Sequence, residues 1–321
     1  MPPPCVIGVD VGGTKVLAGA VDANLAVHHR ASRRSRAAQT DALLDTIASA
    51  IVEVRDAAEG EVLAAGIGIP SLLDPRRGVP EFTAHLPLRG LPFRDVMAER
   101  LGLPVYVAND ATLAMLVEHR FGAARGARDA VMLTLGTGIG GGLVLGGRLV
   151  DGASGAAGEP GHMVVDLDGP ACVCGSVGCL ETLASGTALA REGARVARAA
   201  SESELARAAA AGREITGLLV TELAHDGDRA ARDVVALIGM RLGVGIANLV
   251  NLLNPELVVV GGGLVAAGEL LLEPARTVVR ERALPPSRDA VRIVPARFGE
   301  EAGMLGAALL ALDGGAAAAA A

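Results

Sequence analysis

Tryptophan is missing from this chain of 321 residues, tyrosine occurs once and phenylalanine four times, yet about half of all residues are hydrophobic. The core must therefore be aliphatic. Basic residues are in the minority, 29 Lys and Arg against 36 Asp and Glu, for a formal net charge of −7. Non-specific nucleic-acid binding needs a basic face, so no nucleic-acid partner is expected. Long apolar runs are lacking too: Gly or polar residues break each one before it reaches the roughly 20 residues of a membrane-crossing helix. No membrane partner is expected. No basic leader opens the chain, because MPPPC passes straight into VIGVDV. That is not a secretory signal, and a cytoplasmic, reducing location follows as the expectation, one that disfavours disulfides.

Cysteine is scarce, four in all, and three of them crowd into HMVVDLDGPACVCGSVGCLE, residues 162–181. Cys172, Cys174 and Cys179 form a C-x-C-x4-C array, with His162 ahead of it and Glu181 just after it. Three thiolates and one imidazole complete a tetrahedral set for zinc and leave no position for water, so the metal is structural. An odd number of clustered thiols in a reducing compartment argues against disulfides, and the fourth, Cys5, is remote in sequence. Lysine is scarcer still. Lys15 stands alone among arginines. Arginine excess is most simply a codon effect, but a compact ammonium beside Gly12 and Gly13 suits a crowded phosphate pocket.

The 43 glycines are plentiful and clustered. The strand VIGVDV ends in the turn GGTK, and VLAGAVD and a third strand at 25–32 complete an antiparallel meander. Apolar spacing predicts a helix over 40–58 with Thr40 as N-cap. The strand VLAAGIGIP stops at Pro70, and residues 70–92 read as a long, irregular, functional loop. A short helix at 93–101, the strand PVYVAND and a helix at 111–121 follow. Residues 130–145, AVMLTLGTGIGGGLVL, echo the N-terminal strand–glycine turn–strand unit, so the unit is read as duplicated, one copy per domain. Beyond the cysteine segment come Ala-rich helices over 187–251, the strand LVVVGGG, a helix at 268–282, the strand VRIVPA and a last helix at 300–312. The GGAAAAAA tail is expected to fray. Strand–helix alternation in both halves indicates α/β architecture. The expected domains are a small one, residues 1–118, and a large one, residues 119–321, with the last helix returning to the first.

Two glycine turns that follow strands can point N–H groups at one anion. The first comprises Asp10, Gly12, Gly13, Thr14 and Lys15; the second, Gly136, Thr137, Gly138 and Gly140. A third cluster, Gly261–Gly263, ends an apolar strand, where ligands of α/β sheets sit. Together they indicate a nucleotide. A Walker loop is excluded because no Gly-Lys pair occurs. The string Gly261-x-Gly263-x-x-Ala266 imitates a dinucleotide fingerprint but lacks the acidic residue that should follow. Asp10 suits a magnesium ion held largely through water, against the plainer role of capping its own turn. Asn109-Asp110 reads equally as a helix cap and as a kinase base, and two phosphate turns favour the base. Glu159, His162 and Glu181 bracket the cysteine array and suit vicinal hydroxyls of a sugar; the plainer fate of the two glutamates is a solvated surface.

VDVGGTK, VANDA, LTLGTGIGGGLV, GEPGHM and CVCGSVGCLE, in this order, resemble the ROK family (repressor, open reading frame, kinase). The resemblance runs over residues 6–312 and implies an actin-like ATPase fold, two ribonuclease-H-like domains with an interdomain cleft closing over ATP and sugar. It implies Asp110 as catalytic base, Asn109, Asp110, Glu159, His162 and Glu181 as sugar ligands, and His162, Cys172, Cys174 and Cys179 as zinc ligands. It puts phosphates at the turns of Gly12 and Gly138 and adenosine near Gly262 and Gly263. A homodimer or homotetramer is usual among relatives. Family repressors carry a helix-turn-helix ahead of the first turn, and about nine residues precede Asp10 here, too few for one. The expected activity is phosphorylation of a hexose, glucose first, with another hexose or N-acetylhexosamine or a sugar-sensing regulator as alternatives. Ser71 after Pro70, Thr83-Ala84-His85-Leu86 in the next loop and Ala111-Thr112-Leu113-Ala114 after the aspartate depart from the family pattern.

Overall fold

The computed structural model describes residues 2–35, 39–74, 76–83, 86–199 and 202–319. It divides into two compact units: Met1–Phe121 with Leu149–Gly158 and Glu300–Ala321, and Gly122–Arg148 with Glu159–Gly299. In chain order the elements are β1 (Cys5–Val11), β2 (Lys15–Asp22), β3 (Val27–Arg34), α1 (Thr40–Ala57), β4 (Val62–Ile69), β5 (Ser71–Asp74), β6 (Val79–Thr83), α2 (Phe93–Leu101), β7 (Val105–Asn109) and α3 (Asp110–Phe121). Then follow β8 (Ala130–Leu135), β9 (Ile139–Leu145), β10 (Arg148–Leu149), α4 (Leu180–Ala184), α5 (Gly186–Ala199), α6 (Glu204–Ala210), α7 (Gly217–His225), α8 (Arg229–Leu253), β11 (Leu257–Gly261), α9 (Glu269–Arg282), α10 (Ser287–Ala290), β12 (Arg292–Pro295) and α11 (Ala302–Ala319).

The first sheet runs β3-β2-β1-β4-β7 and the second β10-β9-β8-β11-β12. In each, the central strand pairs antiparallel with the strand after its glycine turn and parallel with a later one. The duplicated motif thus builds the same sheet twice. Strands β1, β8 and β11 are buried along almost their whole length, which is why they read as continuous apolar runs.

The first unit's sheet is covered on one face by α1, whose Leu43, Leu44, Ile47, Ile51 and Val54 are all buried at helical spacing. On the other face α11 lies against the backbone. A Cβ built on Gly8 would collide with Met304 O, and one on Gly66 with Ala307 O. Side chains at those two strand positions would force the helix off the sheet.

Four expectations are corrected. Thr40 is not the N-cap of α1; that position is Gln39, with no side-chain cap bond, and the Thr40 hydroxyl donates to Pro87 O at 2.7 Å. Residues 70–92 are not all loop, because β5 and β6 form an antiparallel hairpin. Its turn uses Gly78 at φ +63°, a left-handed conformation that disfavours other residues. The tail does not fray after residue 313; α11 continues to Ala319, with the alanines that follow Gly314 and Gly315 offsetting the low helix propensity of that pair. Finally, α8 has the length and hydropathy of a membrane span, 25 residues at mean hydropathy 1.7, with 61% of the apolar window buried in the fold. The glycines that interrupt its apolar pattern are its packing face. A Cβ on Gly239 would strike Leu271 O, and one on Gly243 would come within 2.6 Å of Ala275 O, both on α9.

Candidate active site

In the first unit the turn after β1 is closed by the N–H of Gly12 donating to Lys15 O at 2.8 Å. Asp10, Gly12 and Lys15 line a cavity of about 260 Å³ with Leu17 and Glu300. Lys15 Nζ lies 3.4 Å from Glu300 Oε2, with both side chains exposed, so the pair holds the lysine only loosely. Gly13 has open space around it, and Thr14 O accepts from Ser35 N–H.

The start of α3 divides two tasks between adjacent residues. Asn109 Oδ1 accepts the N–H of Thr112 at 3.0 Å, the bond of a helix N-cap. Its Nδ2 donates to Ser71 O at 3.4 Å. Asp110 takes the N–H of Ala111 at 2.8 Å. Burial pushes the Asp110 carboxyl up to about 6, against the opposing pull of that backbone N–H. Burial and then the Asp110 charge push Asp10 up to about 7, with Lys15 pulling the other way. Desolvation outweighs the helix N-terminus, which on its own would favour the anion. Asp10 has a further neighbour that no motif announced. A Cβ on Gly303 would stand 2.7 Å from Asp10 Cγ, so α11 passes directly against the carboxylate. The one trace of this in the sequence is the spacing of Gly303 and Gly306 in an apolar helix.

In the second unit His162, Cys172, Cys174 and Cys179 put their ligand atoms within 4.8 Å of one another. Cys172 Sγ is 3.6 Å from His162 Nδ1 and Cys174 Sγ is 3.7 Å from Cys179 Sγ. A tetrahedral zinc with Zn–S near 2.3 Å separates its ligands by about 3.7 Å, so the donor set fits the ion. Tight backbone turns make the array possible. Gly175 and Gly178 both have positive φ, and a Cβ on Gly178 would collide with Asp166 O. Metal on Nδ1 leaves His162 Nε2 on the far side of the ring.

Glu159 precedes the short 3-10 turn Pro160–His162, which sits on β9. A Cβ on Gly141 would reach Pro160 at 2.5 Å, and one on Gly161 would meet Ile139 O. Glu181 is central. Its Oε2 accepts the N–H of Ile139 at 2.8 Å, its Oε1 lies 4.0 Å from Cys172 Sγ, and a Cβ on Gly138 would strike it. The second glycine turn is braced again by Gly186 N–H donating to Gly136 O and by the Thr187 hydroxyl donating to Thr137 O at 2.7 Å. Gly186 and Thr187 carried no recognisable signal. Gly262, at φ +81°, packs on the backbone of Leu135, and Gly263 next to it opens on free space. The third glycine cluster therefore stands beside the second turn. Ser71 is buried, and its single hydroxyl proton is shared between Phe82 O at 2.9 Å and Leu72 O at 3.0 Å. Ala84 and His85 lie outside the described residues.

The ROK family model matches residues 6–314. The chain is 37% identical over 313 residues to a glucokinase of Streptomyces coelicolor, covering 96% of this chain and 97% of that protein. It is 31% identical over 264 residues to a xylose repressor of Caldicellulosiruptor bescii, covering 82% of this chain and 66% of the repressor. Among solved structures, a ROK family glucokinase from Streptomyces griseus in complex with glucose and AMPPNP superimposes with a TM-score of 0.89 at 36% identity, over 96% of this chain and 99% of that one. The chain belongs to the ROK family, and its fold is that of the family's sugar kinases, the actin-like ATPase fold.

Proposed function

We propose that this protein phosphorylates glucose at the 6-hydroxyl with ATP. The observation that carries the reading is the division of labour at α3: Asn109 caps the helix, which leaves Asp110 as a half-buried carboxylate beside a second one, Asp10. Asp110 orients the sugar's hydroxyl and takes its proton as the oxygen bonds to the γ-phosphorus. The bond from that phosphorus to the β,γ-bridging oxygen breaks, and ADP departs. Phosphoryl transfer demands mainly position and charge neutralisation. The turns at Gly12, Gly13, Thr14, Lys15 and at Thr137, Gly138 are assigned the phosphates, and Gly262 and Gly263 the adenosine. Asp10 would hold magnesium largely through water, and the ion would neutralise charge on the transferring group. Asn109, Glu159, His162 and Glu181 are assigned the sugar hydroxyls. Were zinc held at Nδ1, the Nε2 of His162 would be left to donate to a sugar hydroxyl. Zinc held by His162, Cys172, Cys174 and Cys179 would shape the loop and supply no chemistry of its own. The reading places the enzyme in the cytoplasm, where thiolates stay free for the metal, as a homodimer or homotetramer.

An assay coupled to ADP release, run over glucose, fructose, mannose, N-acetylmannosamine and N-acetylglucosamine, tests the reading. The expected result is the highest kcat/KM with glucose. A higher value with another sugar reassigns the substrate. Turnover with none of them makes the protein a sugar-sensing regulator, the reading that its similarity to a xylose repressor would then support.

The raised carboxyls predict the pH profile. Both groups must be ionised to work, and both have pKa values above the ordinary range, about 7 and about 6. kcat/KM should therefore be level in mild alkali and fall as pH drops through this window, with apparent values that belong to the pair. The same shift has the opposite sign for stability: the folded protein binds more protons than the unfolded chain here, so this contribution is largest in acid and fades as pH rises through the window. A kcat/KM that stays flat down to about pH 5 would remove both carboxyls from the rate-limiting chemistry.

A further inference from the structure

The second glycine turn is held by the segment that leaves the zinc loop. Glu181 Oε2 receives the N–H of Ile139 at 2.8 Å, Gly186 N–H donates to Gly136 O at 2.8 Å, and the Thr187 hydroxyl donates to Thr137 O at 2.7 Å. Glu181 stands two residues beyond the zinc ligand Cys179, and its second oxygen is 4.0 Å from the Sγ of another ligand, Cys172. Gly138 has no Cβ because the Glu181 carboxylate fills that space. The metal array, the carboxylate and the turn are one continuous set of contacts within a single compact unit.

We propose that Glu181 and Thr187 are positioning residues for the nucleotide, carrying the order of the zinc loop into the phosphate turn, so that the metal site sets nucleotide affinity as well as the sugar wall. The proposal rests on the reading of this turn as a phosphate cradle. A turn binds an anion through backbone N–H groups whose directions are fixed in advance. If the braces are released, the turn must be ordered on binding, and affinity falls. Glu181 then has two separable duties. Its sugar contact matters only when sugar is present. Its bond to Ile139 matters with nucleotide alone.

The test is calorimetric titration of the zinc-loaded protein with AMPPNP and magnesium, with no sugar present. Thr187→Val should weaken binding about fivefold and Thr187→Ser should restore it, as one hydrogen bond predicts. Glu181→Ala should weaken binding about tenfold, while Glu181→Gln, which keeps an acceptor for Ile139, should hold it. Stripping zinc with a chelator should weaken binding by a similar factor. In stripped protein Glu181→Ala should add little, because the two changes break one chain of contacts. Hydrogen exchange at residues 136–138, with and without nucleotide, separates the two ways to fail. If the turn is protected but Thr187→Val, Glu181→Ala and zinc removal all leave the dissociation constant unchanged, the positioning role is wrong and the cradle stands. If nucleotide gives the turn no protection, the cradle itself is wrong.

Discussion

Asp110→Asn should lower kcat about a thousand-fold, the range a positioned general base supplies, while calorimetry shows sugar and nucleotide still bound. The substitution isolates the proton acceptor. The asparagine oxygen can still accept the N–H of Ala111, which Asp110 holds at 2.8 Å, and α3 keeps its cap because Asn109 provides it. Folding should not suffer. Desolvation at this half-buried position disfavours an ionised carboxylate and raises its pKa, so a neutral amide should leave Tm equal or higher at neutral and alkaline pH. A second consequence is specific to the pair. The Asp110 charge is part of what raises Asp10, so in the variant the residual activity should lose its acid limb at a lower pH than in the parent. A kcat within tenfold of the parent would exclude Asp110 as the base.

The strings of the candidate site are legible in the sequence wherever that site is built from neighbours along the chain. The cysteine array with its glycines, the two strand–turn–strand units and the Gly262–Gly263 pair are of this kind, and the structure places them at strand ends and tight turns. What could not be read was long-range. Asn109 and Asp110 are equivalent caps on paper, and only the bond from Thr112 to Asn109 separates them. The hairpin of β5 and β6 was hidden because Pro80 and Gly78 break its periodicity, although both fit at a turn and a short strand pair. Gly8 and Gly66 look like weak points in buried strands until α11 arrives from the far end of the chain to fill the space above them. Thr40 looked like a cap because its partner, Pro87 O, is 47 residues away. Glu300 beside Lys15 and Thr187 beside Thr137 escaped notice for the same reason: each acts through a partner that the sequence does not place next to it.

Cys174→Ser should release zinc and with it most of the sugar affinity. The segment around the array has little core of its own. Leu167 is 84% exposed and Val173 56%, and beyond local turns its backbone is pinned by two isolated bridges, Val164 to Cys179 and Ala171 to Val177. In such a segment four metal bonds would stand in for a hydrophobic cluster, and binding free energies of about 10 kcal/mol or more are available from a closed site of this kind. Cys174 is the exposed member of the set, so replacing it removes a ligand without opening a cavity in the unit's interior. Serine is a poor zinc ligand at neutral pH. The buried cluster formed by β8, β11, α8 and α9 takes only Leu180, Met163 and Val165 from this segment, and far-UV circular dichroism should change little. His162 loses the bond that fixes its ring, and Glu181 loses an ordered neighbour at Cys172. Sugar affinity should therefore fall by about tenfold or more, in step with metal content measured by atomic emission. Added zinc should not rescue the variant, whereas it should rescue parent protein stripped by a chelator. If the variant binds sugar as tightly as the parent with no metal present, the loop does not need its ion, and the assignment of zinc as the support for His162 and Glu181 is wrong.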